Sequence, residues 1–145
     1  MWKPDWTRRD KTHLLIIPRE RFAEQTLLTY ALAPSAVVVD WREEFLREAR
    51  PTQKRLSLTV AGEIDRLTRI GNRDKRIYSI INTEYLLAGF DERTRDQFWR
   101  SLWSDFPHLK GILLFTVLDA PAMLPDKLTL ADWQADGRLF RAGSK

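Results

Sequence analysis

The sequence predicts one α/β domain, a mainly parallel β-sheet with helices on both faces, and three observations lead to that expectation. Short unbroken apolar runs, such as His13-Leu14-Leu15-Ile16-Ile17 and Gly111-Ile112-Leu113-Leu114-Phe115-Thr116-Val117-Leu118, read as strands buried on both sides. Between them, apolar residues recur at helical spacing. The two kinds of segment alternate along the chain, as repeated βαβ units require. The 145 residues match a single domain, assigned to residues 1–145 with residues 1–12 as an N-terminal extension.

The elements follow in order. The first strand ends at Pro18. A helix is expected over residues 19–32, with Phe22, Ala23, Leu27, Tyr30 and Ala31 on its apolar side, and Pro34 stops it. Ala36-Val37-Val38-Val39 forms a second strand, because β-branched residues suit a pleated surface. Asp40 then caps a helix in which Trp41, Phe45 and Ala49 face inward and Glu43, Glu44 and Glu48 face water. A polar joint at residues 50–55 leads to a helix over residues 57–70, striped by Val60, Ile64 and Leu67 and ended by Gly71-Asn72.

Ile77-Tyr78-Ser79-Ile80-Ile81 is the next strand. Asp91 opens the clearest helix, whose Phe98, Trp99, Leu102, Trp103 and Phe106 cover one side before Pro107. The run 111–118 is the longest strand and is expected at the centre. Thr129 starts a short helix through Trp133, and Gly137 turns the chain into an edge strand over residues 138–141.

Composition excludes several kinds of chemistry. With no cysteine, disulfides, thiolate metal sites and cysteine nucleophiles are ruled out. Residues 1–6 carry charge from Lys3 onward and lack the apolar core of a signal peptide, and no apolar run approaches the length of a bilayer span. A cytoplasmic protein without membrane contact is expected. The net charge of +4 leans toward anionic partners, although both signs are interspersed.

In an open parallel sheet, ligands bind beyond the carboxyl ends of the strands. A phosphate-binding loop there needs glycines for close backbone approach, a lysine for charge, and a Ser or Thr for Mg²⁺. Residues 18–26, Pro18-Arg19-Glu20-Arg21-Phe22-Ala23-Glu24-Gln25-Thr26, contain no glycine and no lysine. At the end of the third strand, Ile81 stands where an NTPase would carry a metal-binding carboxylate, leaving Asn82 and Glu84 as remnants of a nucleotide site. His13 and His108 lie apart without clustered carboxylates and read as surface or satisfied histidines, and no Gly-x-Ser-x-Gly elbow is present. No catalytic residue, metal site or cofactor is assigned.

Two surfaces remain as binding candidates. Arg66, Arg69 and Arg73 share one side of a helix, followed by Lys75 and Arg76, and five cations together could meet nucleic-acid phosphates. The alternative is a solvated face with Asp65 and Arg69 paired. Trp99 and Trp103 lie one turn apart, and Trp2 and Trp6 precede the first strand; these four are candidate anchors for a protein partner, with core packing as the alternative.

The order of elements and the string Ile80-Ile81-Asn82-Thr83-Glu84-Tyr85-Leu86-Leu87 resemble the small P-loop proteins called BrxF, found in BREX phage-defence loci. Asn82 and Glu84 fit that family's Walker B region, and Gly137-Arg138-Leu139-Phe140 is similar to its closing segment. The Walker A loop is absent from residues 18–26. The resemblance therefore implies a degenerate P-loop NTPase-like (AAA-like) fold, kept as a non-catalytic scaffold that docks onto a larger protein subunit of a defence complex. Two further readings stay open: a DNA- or RNA-binding module using the basic helix, and a nucleotide binder with an atypical loop. The oligomeric state is not legible.

Overall fold

Five strands lie side by side in the order β2-β3-β4-β1-β5, all parallel: β1 (Thr12–Ile17), β2 (Val37–Asp40), β3 (Ile77–Ile81), β4 (Ile112–Leu118) and β5 (Leu139–Arg141). The computed structural model describes residues 2–48, 58–106 and 108–143. Ala49, the polar joint at residues 50–55, Ser57 and Pro107 lie outside the described residues. β4 is the middle strand, as its unbroken apolar run implies. Register is tight around β1, where Leu14 stands opposite Phe115 on one side and Leu139 on the other.

From β2 through β3 and β4 to β5 the chain advances across the sheet in one direction, whereas the β1-to-β2 connection runs back. Right-handed crossovers of opposite direction put their helices on opposite faces. α1 (Gln25–Leu32) accordingly stands on one face. α2 (Trp41–Glu48), α3 (Val60–Gly71), α4 (Glu84–Ala88), α5 (Glu92–Ser104) and α6 (Lys127–Ala135) belong to the other. Side chains sort by the two-residue period of the strands. Leu14, Ile80, Leu113 and Phe115 join Leu67, Phe98, Trp99, Leu102 and Trp133 in the larger core. Leu15, Ile17, Ile77 and Leu114 turn instead toward Leu28 of α1.

Capping explains where the helices begin. Asp40 Oδ1 accepts the Arg42 amide at 2.9 Å, Thr59 Oγ1 that of Gly62 at 3.0 Å, and Asp91 Oδ1 that of Thr94 at 2.8 Å. α6 starts earlier than the sequence suggests: Asp126 is the cap, and Thr129 is the residue whose amide it receives at 2.8 Å. Gly137, at φ +70°, takes the left-handed turn that leads into edge strand β5.

Three expectations are corrected. Residues 19–32 are not one helix: a 3₁₀ turn over Arg19–Glu24 precedes α1. The inner side of α1 is also the reverse of the expected one. Gln25, Leu28 and Thr29 are buried, whereas Leu27 is 62% and Tyr30 42% exposed. The inward residues meet polar positions on the sheet, Thr29 bonding Ser79 at 3.0 Å and Gln25 bonding Thr116 at 3.2 Å. In α3 the buried side is Glu63, Arg66, Leu67 and Ile70, while Val60 and Ile64 are half-buried beside a groove shared with α5. The cause is α2, which lays Trp41 and Phe45 against α3; Trp41 Nε1 donates to Glu63 Oε2 at 2.7 Å.

Candidate functional site

Neighbouring β1 and β4 send their chains in opposite directions, so the crevice beyond their carboxyl ends is the topological switch point of the sheet, the usual ligand position in such folds. Gln25, the first residue of α1, fills this crevice. It is 8% exposed, and its Oε1 accepts the Asn82 backbone amide at 3.1 Å, with the Thr116 hydroxyl at 3.2 Å. Its Nε2 donates to Asn82 Oδ1 at 3.2 Å, and Asn82 Nδ2 donates in turn to Asp40 Oδ2 at 2.7 Å. Asn82 adopts φ +58°, a left-handed conformation that asparagine tolerates better than most residues. Thr83 donates to the Thr116 carbonyl, closing the floor.

The chain ahead of Gln25 offers no open cradle. The Arg21 amide is tied to the Pro18 carbonyl at 3.0 Å within the 3₁₀ turn. The Arg21 side chain reaches away, pairing with Glu24 at 3.0 Å and donating to the Gly143 carbonyl at 3.0 Å. Glu84 begins α4, with Oε2 buried and lacking a hydrogen-bond partner among the described residues. Burial, then the nearby Asp40, pushes its carboxyl above the usual range, against its own backbone amide and Arg42. Arg42 lies over the Tyr85 ring at 5.0 Å. Of the sequence-chosen remnants, Asn82 is at the centre of a hydrogen-bonded network of Gln25, Thr116 and Asp40, and Glu84 lies at its margin. Among the described residues no group of three or more His, Asp or Glu is placed to hold a metal ion.

The basic candidates do not form one free surface. Arg66 is corrected: it is 8% exposed, ion-paired with Glu63 and laid over the Phe45 ring at 4.9 Å. Arg69 pairs with Asp65 at 3.3 Å, Arg73 with Glu44 at 3.5 Å, and Arg76 with Asp74 at 3.2 Å. Lys75 stands over the Trp6 ring at 5.3 Å. Each cation is matched by a carboxylate or a ring, which reduces the field that phosphates would meet.

The tryptophans divide. Trp99 is corrected: at 2% exposure it is a core residue, edge-on to Phe115 at 5.7 Å. Trp103 is half-buried, edge-on to Trp133 at 4.9 Å. Trp2 and Trp6 fold back on the α1 face. Trp2 packs between His13 and Phe140, each 4.9 Å from its ring, and its amide donates to the Leu32 carbonyl at 3.3 Å. His13 is thereby buried rather than at the surface. It is 5% exposed, and Nδ1 has no partner among the described residues. Burial first, then Arg138 and Arg8, lowers its pKa to about 4.

One residue with a large role was missed as a structural centre. Arg138 is 1% exposed and packs against both Trp103, at 4.1 Å, and Trp133, at 4.5 Å. Its guanidinium donates to the Thr12 carbonyl at 2.8 Å, the Thr12 hydroxyl and the Trp103 carbonyl at 3.0 Å. No local pattern signals this, because its partners lie on β1, α5 and α6. Among the described residues no helix is long and apolar enough to cross a membrane. No protein-family model, curated protein or solved structure matches the chain.

Proposed function

We propose that this chain is a non-catalytic, P-loop NTPase-like (AAA-like) scaffold that works by docking onto a larger protein, and that the complex it joins is a phage-defence assembly. The observation that carries the reading is Gln25. At the head of the helix after β1, where a phosphate-binding lysine would stand, a neutral amide is buried and bonded to Asn82 and Thr116. A triphosphate would have to displace those bonds and enter beside Asp40 and Glu84, whose charge opposes it. The strand order, with β1 between β4 and β5, favours the AAA-like reading over the Rossmann and flavodoxin orders. The defence assignment rests on the BrxF resemblance alone.

Two experiments test it. Co-expression with the proteins encoded beside it, followed by affinity purification, is expected to retain a larger partner; purification alone at every salt concentration overturns the scaffold reading. Equilibrium dialysis with ATP, ADP and GTP plus Mg²⁺ is expected to show no retention at millimolar ligand, and retention would restore the nucleotide-binding alternative.

A further inference from the structure

We infer that the chain self-associates through the outer side of α1 and the open edge of β2, pairing β2 with its copy antiparallel across a two-fold axis. This surface is distinct from the filled crevice and independent of the scaffold reading. The starting point is the reversal of α1. Its polar residues Gln25 and Thr29 face the sheet, and Thr26, Leu27, Tyr30 and Ala31 face outward. Leu28 packs on the sheet, but Leu27, 62% exposed, and Tyr30, 42% exposed, are left for another surface. The reversal falls within residues 25–39, fifteen positions without a charge in a chain that is 30% charged.

The same run contains β2, an edge strand paired only with β3 among the described residues. The opposite edge is guarded. β5 ends in Arg141, the Arg21–Gly143 contact follows it, and Trp2 packs on Phe140. β2 has no proline or lysine, and what blunts it is its four-residue length and the charge of Asp40. Val38 is half-buried on the α1 face, opposite Ser79, on which Thr29 of α1 sits. α1 therefore stands about one strand spacing, ~4.8 Å, from the open edge.

A second copy fits this surface better than other occupants. A two-fold axis normal to the sheet sets β2 antiparallel to its copy and satisfies both rows of free backbone groups. It keeps both α1 helices on one face, about 14 Å apart across three strand spacings. That exceeds the roughly 8–10 Å of direct helix packing, a gap that long side chains such as Leu27 and Tyr30 span. Centred on Val38, the pairing sets Val37 against Val39 of the copy and each Asp40 against Ala36, so no like charges meet. A stable interface needs about 800 Å² from each partner, more than a four-residue edge supplies, so the α1 flank has to take part. The absence of charge disfavours nucleic acid on this face.

Sedimentation velocity of the full chain across a wide concentration series is expected to show a species of twice the monomer mass. Leu27→Glu and Val38→Lys should each weaken its dissociation constant at least tenfold, whereas Leu128→Glu, at a residue 82% exposed on α6, should not. Circular dichroism checks the fold. If Val38→Lys unfolds, Leu27→Glu carries the test, since it changes only an exposed side chain. Amide exchange of Val37–Asp40 should slow as concentration rises. A monomer at every concentration, a dimer indifferent to Leu27→Glu, or concentration-independent exchange in β2 overturns the inference.

Discussion

Charging His13 would bury a cation away from water, with Arg138 and Arg8 near it, so the folded state holds the imidazole neutral. Its folded pKa of about 4 lies below the ordinary 6.5, and between those values the unfolded chain binds more protons. The contribution is complete above about pH 6.5, declines as pH falls toward 4, and changes no further below that. A shift of this size corresponds to roughly 3 kcal/mol. Urea unfolding across this range should show that loss, and His13→Phe should flatten it; an unchanged slope would place the pH dependence elsewhere.

Among the elements, α1 and β5 depend on single polar side chains. Gln25 joins α1 to β3 and β4, and Gln25→Ala strands the Asn82 amide, while the Thr116 hydroxyl keeps the Ile80 carbonyl at 2.8 Å. A loss of about 1–3 kcal/mol is expected from denaturant unfolding. Gln25→Lys is not expected to confer ATP binding, because the 3₁₀ turn and Asp40 remain. Arg138 fastens β5 to β1 and α5, and Arg138→Leu leaves the Thr12 and Trp103 carbonyls without their donor. A loss on the order of 3 kcal/mol is expected, with β5 amides exchanging fastest. Element scale is also where the sequence misled. α1 carries apolar residues nearly all round, so periodicity could not choose its inner side, and the choice fell to Ser79 and Thr116 on distant strands.

For the whole molecule, the unequal cover of the sheet matters most. Among the described residues α2 to α6 belong to one face and α1 to the other, with the N-terminal arm filling the remainder. The arm is fixed at two distant points, Trp2 to the Leu32 carbonyl and Arg8 to Asp136 at 2.8 Å. Trp6→Ala is expected to lower stability by about 2 kcal/mol, below the cost of a fully buried aromatic because Trp6 is half-buried. Its thermal midpoint should fall while the larger core keeps a cooperative transition.

The sequence by itself determined the strands, their parallel arrangement, the central place of β4 and the lack of a phosphate loop, because unbroken apolar runs and missing glycines are local properties of the chain. It also pointed to Asn82, although not to Gln25 as its partner 57 positions away. Only the tertiary structure decided what each cation pairs with, which tryptophans are core, and which way α1 faces. Arg66 is buried because Glu63 and Phe45 meet it, and Trp99 because Phe115 lies beneath it. Those outcomes depend on partners that sequence spacing does not bring together, and burial is a property of the pair.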